Sequence, residues 1–257
     1  MVKPKVGFYG VTGCAGCLLS VVFNEDEILD IVNAVDIVAF PLLKQKNPEV
    51  KLDICFIEGT VVSNDDLETI KKLRKRSKVV VALGTCACQG NIPAMRNFAN
   101  ADELEYLRYK KKKQIKGIGK PAPLHKFIKI EHSLPGCPPN REEIKKFIKE
   151  ILIGKTFRDY PDPVCMECKL FENSCLLDND KVCLGPLTRG GCEAVCPTNG
   201  LACYGCRGVT DDANFEEYFK LLSDKEISVT KIKKRMEVFV GLEVNYKLRG
   251  IKWEQLL

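Results

Sequence analysis

Residues 5–22, KVGFYGVTGCAGCLLSVV, decide the fold. Lys5 to Val11 is an apolar run, and it reads as a strand that ends by Gly13. Cys14 to Val22 then has the pattern of an opening helix, so the strand delivers a C-x2-C pair to the edge of a sheet. Further apolar runs follow at Ile37–Phe40, Ile54–Ile57 and Val79–Leu83, separated by amphipathic stretches such as Asp65–Arg76. Such alternation predicts parallel strands covered by helices on both faces. Right-handed crossovers between the strands make it a doubly wound α/β layer. Asn64, followed by two aspartates, supplies a helix start, because a side-chain oxygen and negative charge suit the unpaired amides there.

Single cysteines recur at the ends of these strands. Cys14 and Cys17 follow the first, Cys86 follows Val79–Leu83, and Cys137 follows a strand expected over Phe127–His132. Ligands of open α/β sheets gather beyond the carboxyl ends of the strands, so three loops from one edge can converge on one centre. Cys88 competes with Cys86; Cys86 is preferred because it stands nearer the strand end, which leaves Cys88 as a buried thiol. Cys55, inside an apolar strand, reads as a small core residue. Glu58 ends another strand on the same edge and is either a solvated carboxylate or a group acting near the centre or in proton movement.

The second half changes character after Tyr160, Pro161 and Pro163. Eight cysteines from Cys165 to Cys206 run C-x2-C-x6-C-x7-C-x8-C-x3-C-x6-C-x2-C, while apolar periodicity fades. The division expected is 1–160 for the sheet domain and 161–257 for an irregular, cysteine-rich domain in which bound centres stand in for a core. Helical patterning resumes over Asn214–Leu222 and Val229–Phe239, with Trp253 near the end; these apolar stripes read as packing or subunit contact. Iron–sulfur cubanes take four thiolates each, and spacing divides the eight into Cys165, Cys168, Cys175 and Cys183, and Cys192, Cys196, Cys203 and Cys206. Ligands that cross between the groups stay open on spacing alone. Two all-cysteine zinc sites also fit the pattern, but the scattered set Cys14, Cys17, Cys86 and Cys137 does not resemble a compact zinc knuckle. His125 and His132 are the only histidines and neither lies among the cysteines. Gly16, Gly136, Gly191 and Gly205 stand beside ligands, where backbone amides can approach sulfur.

Fourteen cysteines in 257 residues with C-x2-C pairs favour metal or redox chemistry over a disulfide scaffold. No stretch is apolar for long enough to span a bilayer, and the amino terminus has no secretory pattern or twin arginine, so the expected compartment is the cytoplasm. The net charge of +6 counts every thiol as neutral, and cluster-bound thiolates would cancel it. The run Lys110, Lys111, Lys112, Lys113 and Lys116 is either solvated surface or a docking patch for an acidic partner.

Taken together, CAGC, IEGT, GTCACQG, PGCPPN and the run from CMEC to CYGCRG resemble the small subunits of nickel–iron hydrogenases over nearly the whole chain. The resemblance is nearest to the cytoplasmic multisubunit branch, above all the delta subunit of archaeal sulfhydrogenases, then the small subunit of methanogen hydrogenases linked to heterodisulfide reductase. It implies a flavodoxin-like domain carrying a proximal 4Fe-4S cluster on Cys14, Cys17, Cys86 and Cys137. It further implies a distal 4Fe-4S cluster on Cys165, Cys168, Cys175 and Cys183, and a medial one on Cys192, Cys196, Cys203 and Cys206. Many membrane-bound relatives have histidine and proline where this chain has Cys165 and Cys196, so all three centres are expected to be 4Fe-4S. Those relatives also follow the C-x2-C with serine and glutamate, whereas Leu18 and Leu19 stand here, and no proton role carries over. The implied function is an electron-transfer subunit with no catalytic residue of its own. Its implied partners are a large subunit holding the nickel–iron centre and a flavin- or iron–sulfur-containing acceptor subunit, with no nucleic acid and no membrane span. A subunit of respiratory complex I shares the first four motifs but lacks the eight-cysteine tail; it and a zinc-stabilised binding module are the alternatives.

Overall fold

The computed structural model describes residues 3–23, 33–100, 103–104, 110 and 117–247. Lys111, Lys112, Lys113, Lys116 and Trp253 lie outside the described residues. The chain divides into two compact units, Met1–Phe157 and Arg158–Leu257.

The first unit is built on strands β1 (Lys5–Gly10), β2 (Asp36–Ala39), β3 (Leu52–Glu58), β4 (Ser77–Leu83) and β5 (His132–Leu134), in the order β2-β1-β3-β4-β5 with every pairing parallel. Side chains alternate between two cores, as the two-residue period of a strand requires. Val6, Phe8, Ile54, Phe56, Val81 and Leu83 face one side, where they meet Leu18 and Val21 of helix α1 (Gly16–Val22) and residues of a later helix. Cys55, Ile57, Val80 and Ala82 face the other, against Ile70 and Leu73 of α2 (Asn64–Arg76). Both faces are buried, which is why the strands read as continuous apolar runs. The rings of Phe8 and Phe56 stack with centroids 4.8 Å apart. Phe147, on the helix that follows β5, packs edge-on against Phe56 at 5.8 Å.

Three local features differ from the sequence-based expectation. The cap of α2 is Ser63 rather than Asn64: its hydroxyl accepts from the Asp66 N–H at 3.1 Å, and Asp66 accepts in return from the Ser63 N–H at 2.9 Å. Helix α1 starts at Gly16, after left-handed Ala15, so Cys14 stays in the loop. The strand expected at Phe127–His132 lies instead at His132–Leu134, sharing only His132 with it. The amides of Phe127 and Ile128 are spent locally on the Leu124 carbonyl, and pairing with β4 begins only when the Glu131 N–H donates to Val80 O. After α3 (Gly84–Gln89), which follows β4 directly, the last helix of this unit is α4 (Arg141–Leu152).

The second unit has a true hydrophobic core, contrary to the expectation that bound centres would replace one. Helices α5 (Val164–Leu170), α6 (Phe215–Asp224), α7 (Val229–Phe239) and α8 (Gly241–Lys247) surround a contiguous cluster that includes Leu184, Leu187, Val209, Phe219, Leu222, Ile232, Met236 and Val240. The apolar stripes of α6 and α7 are therefore packing stripes. They also hold the cysteine loops from outside: Tyr218 donates to Cys183 O at 3.0 Å, and Arg235 donates to Val182 O at 3.0 Å and Ala202 O at 3.2 Å.

Candidate metal centres

Strand register places Gly10, Glu58, Leu83 and Leu134 level with one another at the carboxyl edge of the sheet. The segments that follow carry Cys14 and Cys17, Cys86 and Cys137. Asn91 joins two of these segments, its Nδ2 lying 3.4 Å from Cys86 Sγ and 3.8 Å from Cys137 Sγ. Burial pushes the Cys17 thiol far above the ordinary thiol range, and Glu58, Cys86, Cys137 and Cys14 all push it the same way. Burial likewise raises Cys86 to about 11, with Cys137 and Cys14 adding to the rise and Asn91 opposing it. Neighbouring sulfurs thus disfavour ionisation of Cys17 and Cys86, and such a group becomes a set of thiolates only around a positively charged core. A Cβ at Gly84 would collide with Cys17 Sγ, so the backbone itself is shaped to the thiol. Cys88 is turned away from the group toward Ala82 O at 3.6 Å, and Cys55 is fully buried in the sheet.

Glu58 is not solvated. It is 3% exposed, and its carboxylate accepts the Leu18 N–H at 2.9 Å. Burial raises its pKa, while the Leu18, Ala15 and Cys17 amides oppose the rise. A carboxylate on β3 therefore ties down the loop that holds Cys14 and Cys17. The histidines stand apart: burial lowers both, and His132 packs edge-on to Phe147 at 5.2 Å.

In the second unit, Cys165, Cys168, Cys175 and Cys183 line one cavity of about 80 Å³, together with apolar groups including Val164, Leu176 and Pro197. Burial pushes Cys165 up to about 12, followed by the influence of Cys183, Cys168 and Cys175. Gly185 lies against this group; a Cβ there would stand 3.2 Å from Cys165 Sγ and 3.5 Å from Cys183 Sγ.

Among the other four cysteines, burial is again the main cause of raised thiols. Besides burial, Cys196 raises Cys192, and Cys206 raises Cys203. The two named groups meet at Cys183, whose sulfur accepts the Cys203 N–H at 3.3 Å and which also raises Cys196. Glu167, between Cys165 and Cys168 in sequence, makes a second tie. Its carboxylate accepts from the Gly191 amide, from Cys192 N at 3.3 Å and from Ala194 N at 3.2 Å. Arg207 is 1% exposed, donates to Gly190 O and lies over the Tyr160 ring. Of the four glycines that neighbour ligands in sequence, Gly16 and Gly205 donate to sulfur, to Cys14 and Cys203, each at 3.4 Å. Gly136 donates to Thr85 Oγ1 and Gly191 to Glu167 instead.

Sequence reasoning misses Asn91, Glu167, Arg207 and Arg235. A glutamate inside a C-x2-C pair and an asparagine soon after GTCAC are the signals that could have found the first two. Among the described residues, no three His, Cys, Asp or Glu side chains close to the range of a single bound ion.

A family model described as "NADH ubiquinone oxidoreductase, 20 Kd subunit" matches residues 14–151, a span that begins at Cys14 and contains the whole carboxyl-edge site. The chain belongs to that family. Proteins similar to this chain include hydrogenase subunits. Sulfhydrogenase 2 subunit delta of Pyrococcus furiosus is 36% identical over 231 residues, covering 87% of this chain and 96% of that protein. A subunit of the F420-non-reducing hydrogenase vhu of Methanocaldococcus jannaschii is 32% identical over 237 residues, covering 80% and 82%. A crystal structure of an NAD+-reducing nickel–iron hydrogenase in the H2-reduced state contains a chain 26% identical, with a TM-score of 0.56, covering 62% of this chain and 97% of that one. This family member is thus a hydrogenase-type subunit, and the class of oxidoreductases acting on hydrogen is its class. No helix among its described residues is long and apolar enough to cross a membrane.

Proposed function

We propose that this chain is the electron-transfer small subunit of a cytoplasmic nickel–iron hydrogenase. In this reading it relays electrons through three 4Fe-4S clusters between the nickel–iron site of a large subunit and a flavin- or iron–sulfur-containing partner. The observation that carries it is the convergence of Cys165, Cys168, Cys175 and Cys183 on one cavity, matched at the sheet edge by Cys14, Cys86 and Cys137, all near enough to Cys17 to disfavour its ionisation. Thiols arranged around a cavity suit a cubane, which needs room for its core; four ligands drawn to about 2.3 Å from one zinc ion would leave none.

Bound clusters would supply one-electron transfer, and the chain's own residues set where and in what surroundings. Cys14, Cys17, Cys86 and Cys137 would hold the proximal centre, with Glu58 fixing the first loop. Cys192, Cys196, Cys203 and Cys206 would hold the medial centre and Cys165, Cys168, Cys175 and Cys183 the distal one. Amide donation to sulfur from Gly205 and Cys203 stabilises thiolate charge where the core shuts out water, and Gly16 donates likewise to the exposed Cys14. The hydrogenase relatives support the large subunit as partner. Anaerobic purification of the complex, followed by iron and sulfide analysis and EPR on reduction, tests the reading; zinc without sulfide would refute it.

A further inference from the structure

Asn91 has φ 45°, in the left-handed region where glycine is the easiest occupant and asparagine is among the few side chains tolerated. Its side chain is not spent on solvent, for it is only 3% exposed. One amide group addresses two sulfurs delivered by different strands: Nδ2 is 3.4 Å from Cys86 Sγ and 3.8 Å from Cys137 Sγ. The segment is clamped as well, since the Thr60 hydroxyl lies 3.0 Å from Cys86 O and 2.8 Å from Gly90 O. Asn91 Oδ1 is buried with no hydrogen-bond partner. Turning the amide over would aim that oxygen at two sulfurs and waste both N–H donors, so the orientation with nitrogen toward sulfur is the one chemistry favours.

We propose that Asn91 is a positioning residue of the sheet-edge centre, whose two amide N–H groups hold the Cys86 and Cys137 thiolates and raise the reduction potential of the group they bind. The inference rests on the proposed function, because it needs a redox centre on those two sulfurs. Its physical basis is that N–H donation to sulfur offsets the negative charge gained on reduction. An asparagine there supplies two donors that a glycine lacks.

The test is potentiometric EPR titration of the anaerobically purified complex, with iron and sulfide measured in each preparation. Asn91→Gly keeps the left-handed backbone and deletes both donors; Asn91→Asp keeps the shape and replaces the donors with a carboxylate. The expected result is wild-type iron and sulfide content, with one centre alone shifted to more negative potential. The shift should be about tenfold in the reduction equilibrium for Asn91→Gly, or about 59 mV for one electron, and larger for Asn91→Asp. Should Asn91→Gly lose its iron, the potential in Asn91→Asp decides. An unmoved potential in a fully loaded variant, or an equal shift of every centre, overturns the proposal. Absence of iron and sulfide from the wild-type complex is a separate outcome and strikes the proposed function instead.

Discussion

The backbone N–H of Cys192 donates to the carboxylate of Glu167 at 3.3 Å, so a residue lodged between two cysteines of one group holds the loop of the other. The same carboxylate takes the amides of Gly191 and Ala194, on a loop where Glu193 and Ala194 are both left-handed. Glu167→Ala would strand those donors and release the loop, at a cost of about 2 kcal/mol or more. The expected outcome is loss of iron from the set containing Cys192, with the set containing Cys165 still loaded, read as iron content and as disappearance of one EPR signal. Glu167→Gln, which retains an acceptor, should lose less.

Gly84 offers a test in the other unit. Its φ is 82°, and an added Cβ would run into Cys17 Sγ. Gly84→Ala should therefore displace that thiol and empty the sheet-edge centre, while the cysteine-rich unit keeps its iron. Full iron content in Gly84→Ala would mean that Cys17 is not held where the backbone has made room for it.

Cys86 and Cys88 are two residues apart on α3 but face different surroundings. Cys86 is within reach of Asn91, whereas the Cys88 thiol points to Ala82 O. Cys86→Ser should lower the iron content by about a third, one cubane in three, and Cys88→Ser should leave it unchanged. The reverse pattern would reassign the ligand.

His132 gives stability a pH dependence near neutrality. Burial lowers its pKa in the folded protein, with nearby Glu131 opposing, so the unfolded chain binds the proton more readily. Stability is then fully present above the unfolded value of about 6.5 and declines as pH falls from there toward the lowered folded value. His125 is shifted in the same direction, also chiefly by burial. Urea midpoints measured between pH 7.5 and pH 5.5 should fall for the wild type and fall less for His132→Phe. Equal declines would show that His132 protonates as easily in the fold as out of it.

The α/β layer is legible in the sequence because its strands are buried on both faces and announce themselves as unbroken apolar runs: Ile54–Ile57 and Val79–Leu83 fall within β3 and β4. The short edge strand β5 is not, since Phe127, Ile128 and Ile130 are apolar for packing against the helix-side core while their backbone turns. In the second unit, the fading of periodicity between Cys165 and Cys206 gives a false sign that a core is lacking. That core is assembled from α6, α7 and isolated residues such as Leu184 and Val209, a pattern no local window contains. Cysteine positions are readable from spacing, but Asn91 and Glu167 act through contacts across the fold. So does the contact of Cys183 with Cys203, which makes the border between the two groups a meeting place.

The most direct measurement is the iron and acid-labile sulfide content of the anaerobically purified complex, taken with its EPR spectrum on stepwise reduction. Three cubanes on this chain predict about twelve irons per copy, with matching sulfide, and three separately titrating signals. Zinc in place of iron, or thiols joined as disulfides with no sulfide present, would contradict that claim.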